Sequence, residues 1–99
     1  RYDFEGWKFD SARREVRSPG GEVVDLTTAE FNLLAILLER PGRVLSRDEI
    51  MDQLKGHDWS PVDRSIDALV ARLRKKIEQG PIRIATVRGL GYCLEKIPG

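Results

Sequence analysis

A chain of 99 residues holds one small domain with a single core, and the whole of 1–99 is read as that domain. Hydrophobic residues make up 40% and charged residues 33%, which excludes a disordered chain, and no apolar run approaches the length needed to span a bilayer. Cys93 is the one cysteine, so an internal disulfide and a multi-cysteine zinc site are excluded. Arg1 to Phe9 carry no signal-peptide pattern, and a reducing cytoplasm is the expected setting, with no membrane partner. The net charge is only +1, but it is unevenly spread. Residues 1–60 carry 9 Lys/Arg against 12 Asp/Glu, while residues 61–99 carry 8 against 4. Positive potential is thus concentrated in the C-terminal part, and such asymmetry governs partner choice more than the sum does.

The first 26 residues predict short strands. Trp7-Lys8-Phe9 and Glu15-Val16-Arg17 are brief alternating stretches, Ser18 to Gly21 is a turn, and Glu22 to Leu26 supplies another strand. A first helix follows. Thr27 and Glu30 have capping-box spacing, with Leu26 and Phe31 as a hydrophobic staple. Phe31, Leu34 and Leu38 form a stripe that Leu33 and Leu37 widen, so both sides of this helix are expected to be covered. Pro41-Gly42 stops it.

Ser46 and Glu49 repeat the capping box, with Leu45 and Ile50 as the staple, and open a second helix running to Leu54 or Lys55. Lys55 to Trp59 reads as a loop. Ser60-Pro61 with Asp63 predicts the start of a third helix. Val62, Ile66, Leu69, Val70, Leu73 and Ile77 lie on its inner face. At about 100° per residue the opposite face centres on Arg64, Ala68, Ala71, Arg72 and Lys75. Gly80-Pro81 ends the helix. Ile82 to Arg88 and Tyr92 to Lys96 predict a hairpin around Gly89-Leu90-Gly91.

A helix that reads a major groove needs one face to anchor it and another to read. Small Ala68 and Ala71 let the backbone approach base edges; Arg72 has the geometry for a bidentate bond to guanine, and Arg64, Arg74 and Lys75 suit phosphates. Two capped helices before this one make a helix-turn-helix arrangement, though the connecting loop is longer than the usual turn. Arg88 beside the Gly-x-Gly turn suits a narrow minor groove. The plainer alternatives are an amphipathic helix with a solvated charged face, and ordinary turn chemistry at Gly89 and Gly91.

Four segments resemble the effector domain of OmpR/PhoB-type two-component response regulators. They are Leu26-Thr27-Thr28-Ala29-Glu30-Phe31 with Leu34; Val44-Leu45-Ser46-Arg47-Asp48-Glu49; Asp63-Arg64-Ser65-Ile66-Asp67 continuing to Arg72-Leu73-Arg74-Lys75-Lys76-Ile77; and Thr86-Val87-Arg88-Gly89-Leu90-Gly91-Tyr92. They occur in order and at family spacing over essentially the whole chain. The resemblance implies an α+β winged helix-turn-helix: an N-terminal four-stranded antiparallel sheet, three helices and a C-terminal β-hairpin wing. It implies sequence-specific binding of double-stranded DNA for transcriptional regulation, as the output of a phosphorelay whose receiver domain is absent from this chain. By the same resemblance Arg72 and Ala68 face bases, Arg64, Ser65 and Arg74 meet the DNA backbone, and Arg88 enters the minor groove. Thr86 and Tyr92 match further phosphate contacts, and Trp59 matches a loop position near the backbone. The loop Lys55 to Trp59 matches the segment that meets RNA polymerase in some members. Tandem self-association on direct repeats of DNA is also implied. Leu69 and Ala71 stand where some relatives carry polar or basic residues, so direct readout rests on few side chains.

An enzymatic reading has little support. His57, the one histidine, sits in a polar loop; there is no phosphate-cradling glycine loop and no H-E-x-x-H, and Asp63 and Asp67 suit helix-start electrostatics better than a metal. No cofactor is expected, and Cys93 reads as a small buried hydrophobe. The rival reading is a winged helix whose basic helix binds an acidic protein.

Overall fold

The computed structural model describes residues 2–55, 65–77 and 80–96. Three strands open the chain: β1 (Tyr2–Phe4), β2 (Trp7–Asp10) and β3 (Glu15–Arg17), antiparallel in the order β1-β2-β3. Phe9 stands opposite Val16 in the register, and both are buried, so one face of this sheet belongs to the core. The predicted fourth strand is reduced to an isolated bridge between Arg17 and Val23, supported by Val24 N–H donating to the Val16 carbonyl at 2.8 Å. Sequence alone did not show that Tyr2–Phe4 forms the first strand.

Helix α1 (Thr28–Leu38) begins as predicted. Thr27 Oγ1 accepts the Glu30 N–H at 3.2 Å, and Glu30 Oε1 accepts the Thr27 N–H at 2.9 Å. Phe31, Leu33, Leu34, Ile36, Leu37 and Leu38 are all buried, so the helix is apolar nearly all round and is covered on most sides. Arg14, in the β2–β3 turn, donates to Asn32 Oδ1 at 2.6 Å and lies over the Phe31 ring, tying the sheet to this helix.

Helix α2 (Arg47–Lys55) has the second capping box: Glu49 N–H donates to Ser46 Oγ at 3.1 Å, and Ser46 N–H to Glu49 Oε1 at 3.0 Å. Helix α3 is described over Ile66–Ile77. Its first residue follows a non-helical Ser65, whose Oγ accepts the Ala68 N–H at 3.1 Å. The cap of the described helix is therefore Ser65 rather than the expected Ser60, and Asp67 supplies the first-turn acid. Ser60, Pro61, Val62 and Asp63 lie outside the described residues. Ile66, Leu69, Val70, Leu73 and Ile77 are buried, as the periodicity requires.

Strands β4 (Ile82–Val87) and β5 (Gly91–Lys96) form the hairpin, with Thr86 opposite Tyr92 and Val87 opposite Gly91. The turn is Arg88-Gly89-Leu90, one residue earlier than expected, because Gly91 already pairs. The free edge of β5 is then met by the segment before α2. Leu45 N–H donates to the Tyr92 carbonyl at 2.8 Å and Tyr92 N–H to the Leu45 carbonyl at 2.9 Å. Helix α1 thus sits at the centre, in contact with α2, α3 and β5, and α3 packs against β4. Its core is one cluster drawn from all three helices, the first sheet and the hairpin.

Candidate nucleic-acid interface

Helix α3 is wedged by its inner stripe, and this decides where its other side chains go. At about 100° per residue, Ala68, Ala71 and Lys75 point away from the core, with Arg72 and Lys76 on one flank and Asp67 and Arg74 on the other. Ala68, Ala71, Arg72 and Lys75 are exposed, so a polar, small-centred surface is left open between two flanking contacts.

The flank toward the hairpin is tied down. Arg74 Nε donates to the Ile84 carbonyl at 2.9 Å, and its Nη2 donates to Thr86 Oγ1 at 2.6 Å. The same guanidinium lies 5.7 Å from the centre of the Tyr92 ring. Tyr92 is buried, and its hydroxyl donates a short hydrogen bond to Asp67 Oδ1. Asp67 also accepts from Arg47 Nε at 2.8 Å, which links α2, α3 and β5. The hydrogen bond from Tyr92, and then that from Arg47, hold the Asp67 carboxyl below its ordinary range. Burial, followed by the bond to Asp67, pushes the Tyr92 phenol up. Arg74, Thr86 and Tyr92, expected at the DNA backbone, are thus joined to the helix–wing junction by these contacts.

The flank toward α1 centres on Glu30, which is fully buried. Its Oε1 accepts from Lys76 Nζ at 2.7 Å as well as from Thr27, and its Oε2 lies 3.6 Å from Arg72 Nε. Burial alone would raise this carboxyl; the hydrogen bonds from Lys76 and Thr27, with the Lys76 charge, outweigh it and leave the group below its ordinary value. Lys75 and Lys76 border a cleft of about 420 Å³ against Trp7, Ser18, Glu22, Val23 and Val24, at the C-terminal end of α3.

At the hairpin tip Arg88 and Leu90 are exposed, Leu90 with 63% of its surface open. Gly89 and Gly91 differ in their reasons. Gly89 has φ +79 with open space around it, which is turn chemistry. Gly91 has φ +147, and a Cβ there would lie 2.0 Å from the Leu45 carbonyl oxygen. At Gly91 the close backbone approach is made inside the protein, to the segment before α2. Cys93 is buried, and burial raises its thiol.

Of the residues singled out in the sequence, the structure brings Ala68, Arg72, Arg74 and Lys75 onto α3, Ser65 to its N-terminal cap, and Thr86, Arg88 and Tyr92 onto the hairpin beside it. Trp59, Arg64 and most of the loop Lys55 to Trp59 lie outside the described residues. Sequence reasoning did not find the organising roles of Arg47, Asp67 and Glu30. Their partners stand 20, 25 and 46 residues away along the chain, beyond any local spacing rule.

Residues 21–94 match the family described as "Transcriptional regulatory protein, C terminal". The chain belongs to this family. It is 44% identical over 92 residues to the transcriptional regulatory protein AruR of Pseudomonas aeruginosa, covering 90% of this chain and 38% of that protein. It is 42% identical over 97 residues to the regulatory protein VirG of Agrobacterium fabrum, covering 95% of this chain and again 38% of the relative. The chain therefore spans about two-fifths of the length of these relatives. Among solved structures, the RstA DNA-binding domain of Klebsiella pneumoniae in complex with the RstA box superposes with a TM-score of 0.77 at 36% identity, over 95% of both chains. The C-terminal domain of the nisin resistance regulator NsrR gives 0.79 at 30% identity over the full length of both. The winged-helix reading of the fold, with three helices and two antiparallel sheets, agrees with these likenesses. Among the described residues no helix is long and apolar enough to cross a membrane.

Proposed function

We propose that this domain binds double-stranded DNA sequence-specifically to regulate transcription, as the output part of a two-component response regulator. Helix α3 lies in the major groove and the β4–β5 wing reaches the adjacent minor groove. The observation that carries the reading is the Arg74 clamp. By fastening α3 to Ile84 and Thr86 it makes the exposed face of the helix and the Arg88 hairpin one unit of fixed geometry. A protein-docking helix needs no such coupling to a basic hairpin tip, whereas simultaneous reading of two grooves does. The family match and the DNA complex of the RstA domain support the same conclusion.

In this reading Ala68 and Arg72 meet bases, and Arg64, Ser65, Lys75, Thr86 and Trp59 meet or neighbour the backbone. Arg88 enters the minor groove, and Arg74 and Tyr92 act mainly by holding the wing. The role is binding in the cytoplasm, with no chemical step. Residues 1–99 form the output unit of a longer regulator, since the matched relatives extend well beyond the aligned region. The family resemblance adds tandem association of copies on direct repeats and contact of the Lys55–Trp59 loop with RNA polymerase. Selection of bound sequences from a random duplex pool tests the proposal. A recurrent motif bound far more tightly than scrambled duplexes supports it; recovery of no motif refutes it and favours the acidic-protein partner.

A further inference from the structure

The hydroxyls of Thr86 and Tyr92, expected at DNA phosphates, are engaged within the protein. Thr86 Oγ1 accepts from Arg74 Nη2, and the Tyr92 hydroxyl donates to Asp67. The seam between α3 and the wing also carries an exposed acid. Asp67 stands in the first turn of α3, directly before Ala68, with 57% of its side chain open. A bare carboxylate beside the reading face would repel an approaching duplex.

Arg47 answers that charge from outside the reading helix, at the first position of α2. Its Nε donates to Asp67 Oδ1 at 2.8 Å. Its guanidinium lies 5.5 Å from the centre of the Tyr92 ring, which Arg74 approaches to 5.7 Å. The Tyr92 oxygen is a further, weaker neighbour. A guanidinium has more N–H donors than these two oxygens use, and the Arg47 side chain is 51% exposed. An ion pair so open to water adds little to stability. It does order a long side chain that would otherwise sample many rotamers, so less entropy is lost when an anion is met. At about 1.5 Å per residue, Lys75 lies roughly 12 Å further along α3 than Asp67, far enough for the two cations to meet different phosphates.

We propose that Arg47 is a DNA-backbone contact contributed by α2, and that Asp67 is the positioning residue holding its guanidinium at the seam between α3 and the wing, where it takes one phosphate. The inference rests on the reading of this domain as a DNA binder. It gives α2 a direct part in binding, and gives the acid on α3 a purpose other than repelling the ligand.

The test replaces single phosphates of the selected duplex with uncharged methylphosphonates, one at a time, and measures Kd for the wild type and for Arg47→Ala. One position should cost the wild type about tenfold and cost Arg47→Ala nothing. Lys75→Ala should stay sensitive at that position. The salt slope of Arg47→Ala should fall by about one unit. Identical scan profiles for wild type and Arg47→Ala overturn the proposal, even if overall affinity falls. Asp67→Asn separates a direct contact from mere shielding of the carboxylate, since it keeps an oxygen for Arg47 and Tyr92 but loses the charge. Arg47→Ala should still lower the slope in that background; no effect once Asp67 is neutral would show that Arg47 only masks Asp67, and overturns the proposal. If Arg47→Ala does not fold, the wild-type domain decides by NMR. An Arg47 Nε–H resonance that shifts on the selected duplex, and reverts when one particular phosphate is neutralised, supports the proposal; one that does not move overturns it. A domain that binds no duplex fails the DNA reading and this inference with it, whereas intact specific binding with an unchanged scan fails the inference alone.

Discussion

Replacing Gly91 with alanine should be the most damaging single-methyl change in the wing. The added Cβ would sit 2.0 Å from the Leu45 carbonyl oxygen and 2.8 Å from both the Leu45 carbonyl carbon and Ser46 Cα. Real Cβ atoms do not approach backbone so closely, so β5 and the Leu45–Ser46 segment must separate by about 1 Å. That movement breaks or stretches the two reciprocal Leu45–Tyr92 hydrogen bonds, worth about 0.5–1.5 kcal/mol each. The φ of +147 adds about 1–3 kcal/mol of backbone strain. The expected total is about 2–6 kcal/mol, a large share of the 5–15 kcal/mol that stabilises a typical domain. At about 4–8 °C per kcal/mol for a domain of this size, Tm should fall by roughly 10 °C or more. Gly89→Ala is the control: its φ is +79 but nothing lies within 4 Å, so only strain applies. Thermal unfolding followed by circular dichroism compares the two. A Gly91→Ala domain that melts within about 3 °C of wild type, or no lower than Gly89→Ala, would refute the close-approach argument.

Three further outcomes follow from the contacts at the interface. Arg74→Ala should lower Tm by about 5–15 °C, through loss of its bonds to Ile84 and Thr86, and should weaken binding by freeing the wing; an unchanged melt would mean the clamp does not hold. Lys75→Ala should leave Tm nearly unchanged and reduce the slope of log affinity against log salt by about one unit; an unchanged slope removes Lys75 from the phosphate contacts. Glu30 is held below its ordinary pKa when folded, so its contribution to stability is complete above the unfolded carboxyl value and is lost as pH falls through the lower folded one. Urea unfolding below about pH 5 should therefore show a steep loss of stability that is shallower in Glu30→Gln; identical pH profiles would refute this.

The elements legible in the sequence were those fixed by local chemistry. Thr27 with Glu30 and Ser46 with Glu49 marked two helix starts because a capping box is complete within four residues. The inner stripe of α3 was legible because burial imposes a helical period. The hairpin was legible from its β-branched run and glycine turn. What the sequence concealed was long-range. Nothing near Tyr92 announces that its hydroxyl meets Asp67, or that Leu45 pairs with its backbone. The crowding at Gly91 was hidden for the same reason, since its partner Leu45 lies 46 residues earlier. Ser65 was not legible as a cap because the Ser60-Pro61-Asp63 pattern is the stronger local signal, while the Ser65 Oγ bond to the Ala68 N–H shows only in the fold.

The central claim is tested most directly by titrating salt against the affinity of the domain for its selected duplex and for a scrambled one. If α3 and the wing neutralise several phosphates while Arg72 and Arg88 read the grooves, log affinity should fall steeply with log salt, with a slope of about −3 to −6. The selected duplex should also remain at least about a thousandfold preferred at physiological salt. Equal affinity for both duplexes, or a selected complex insensitive to salt, would contradict the account.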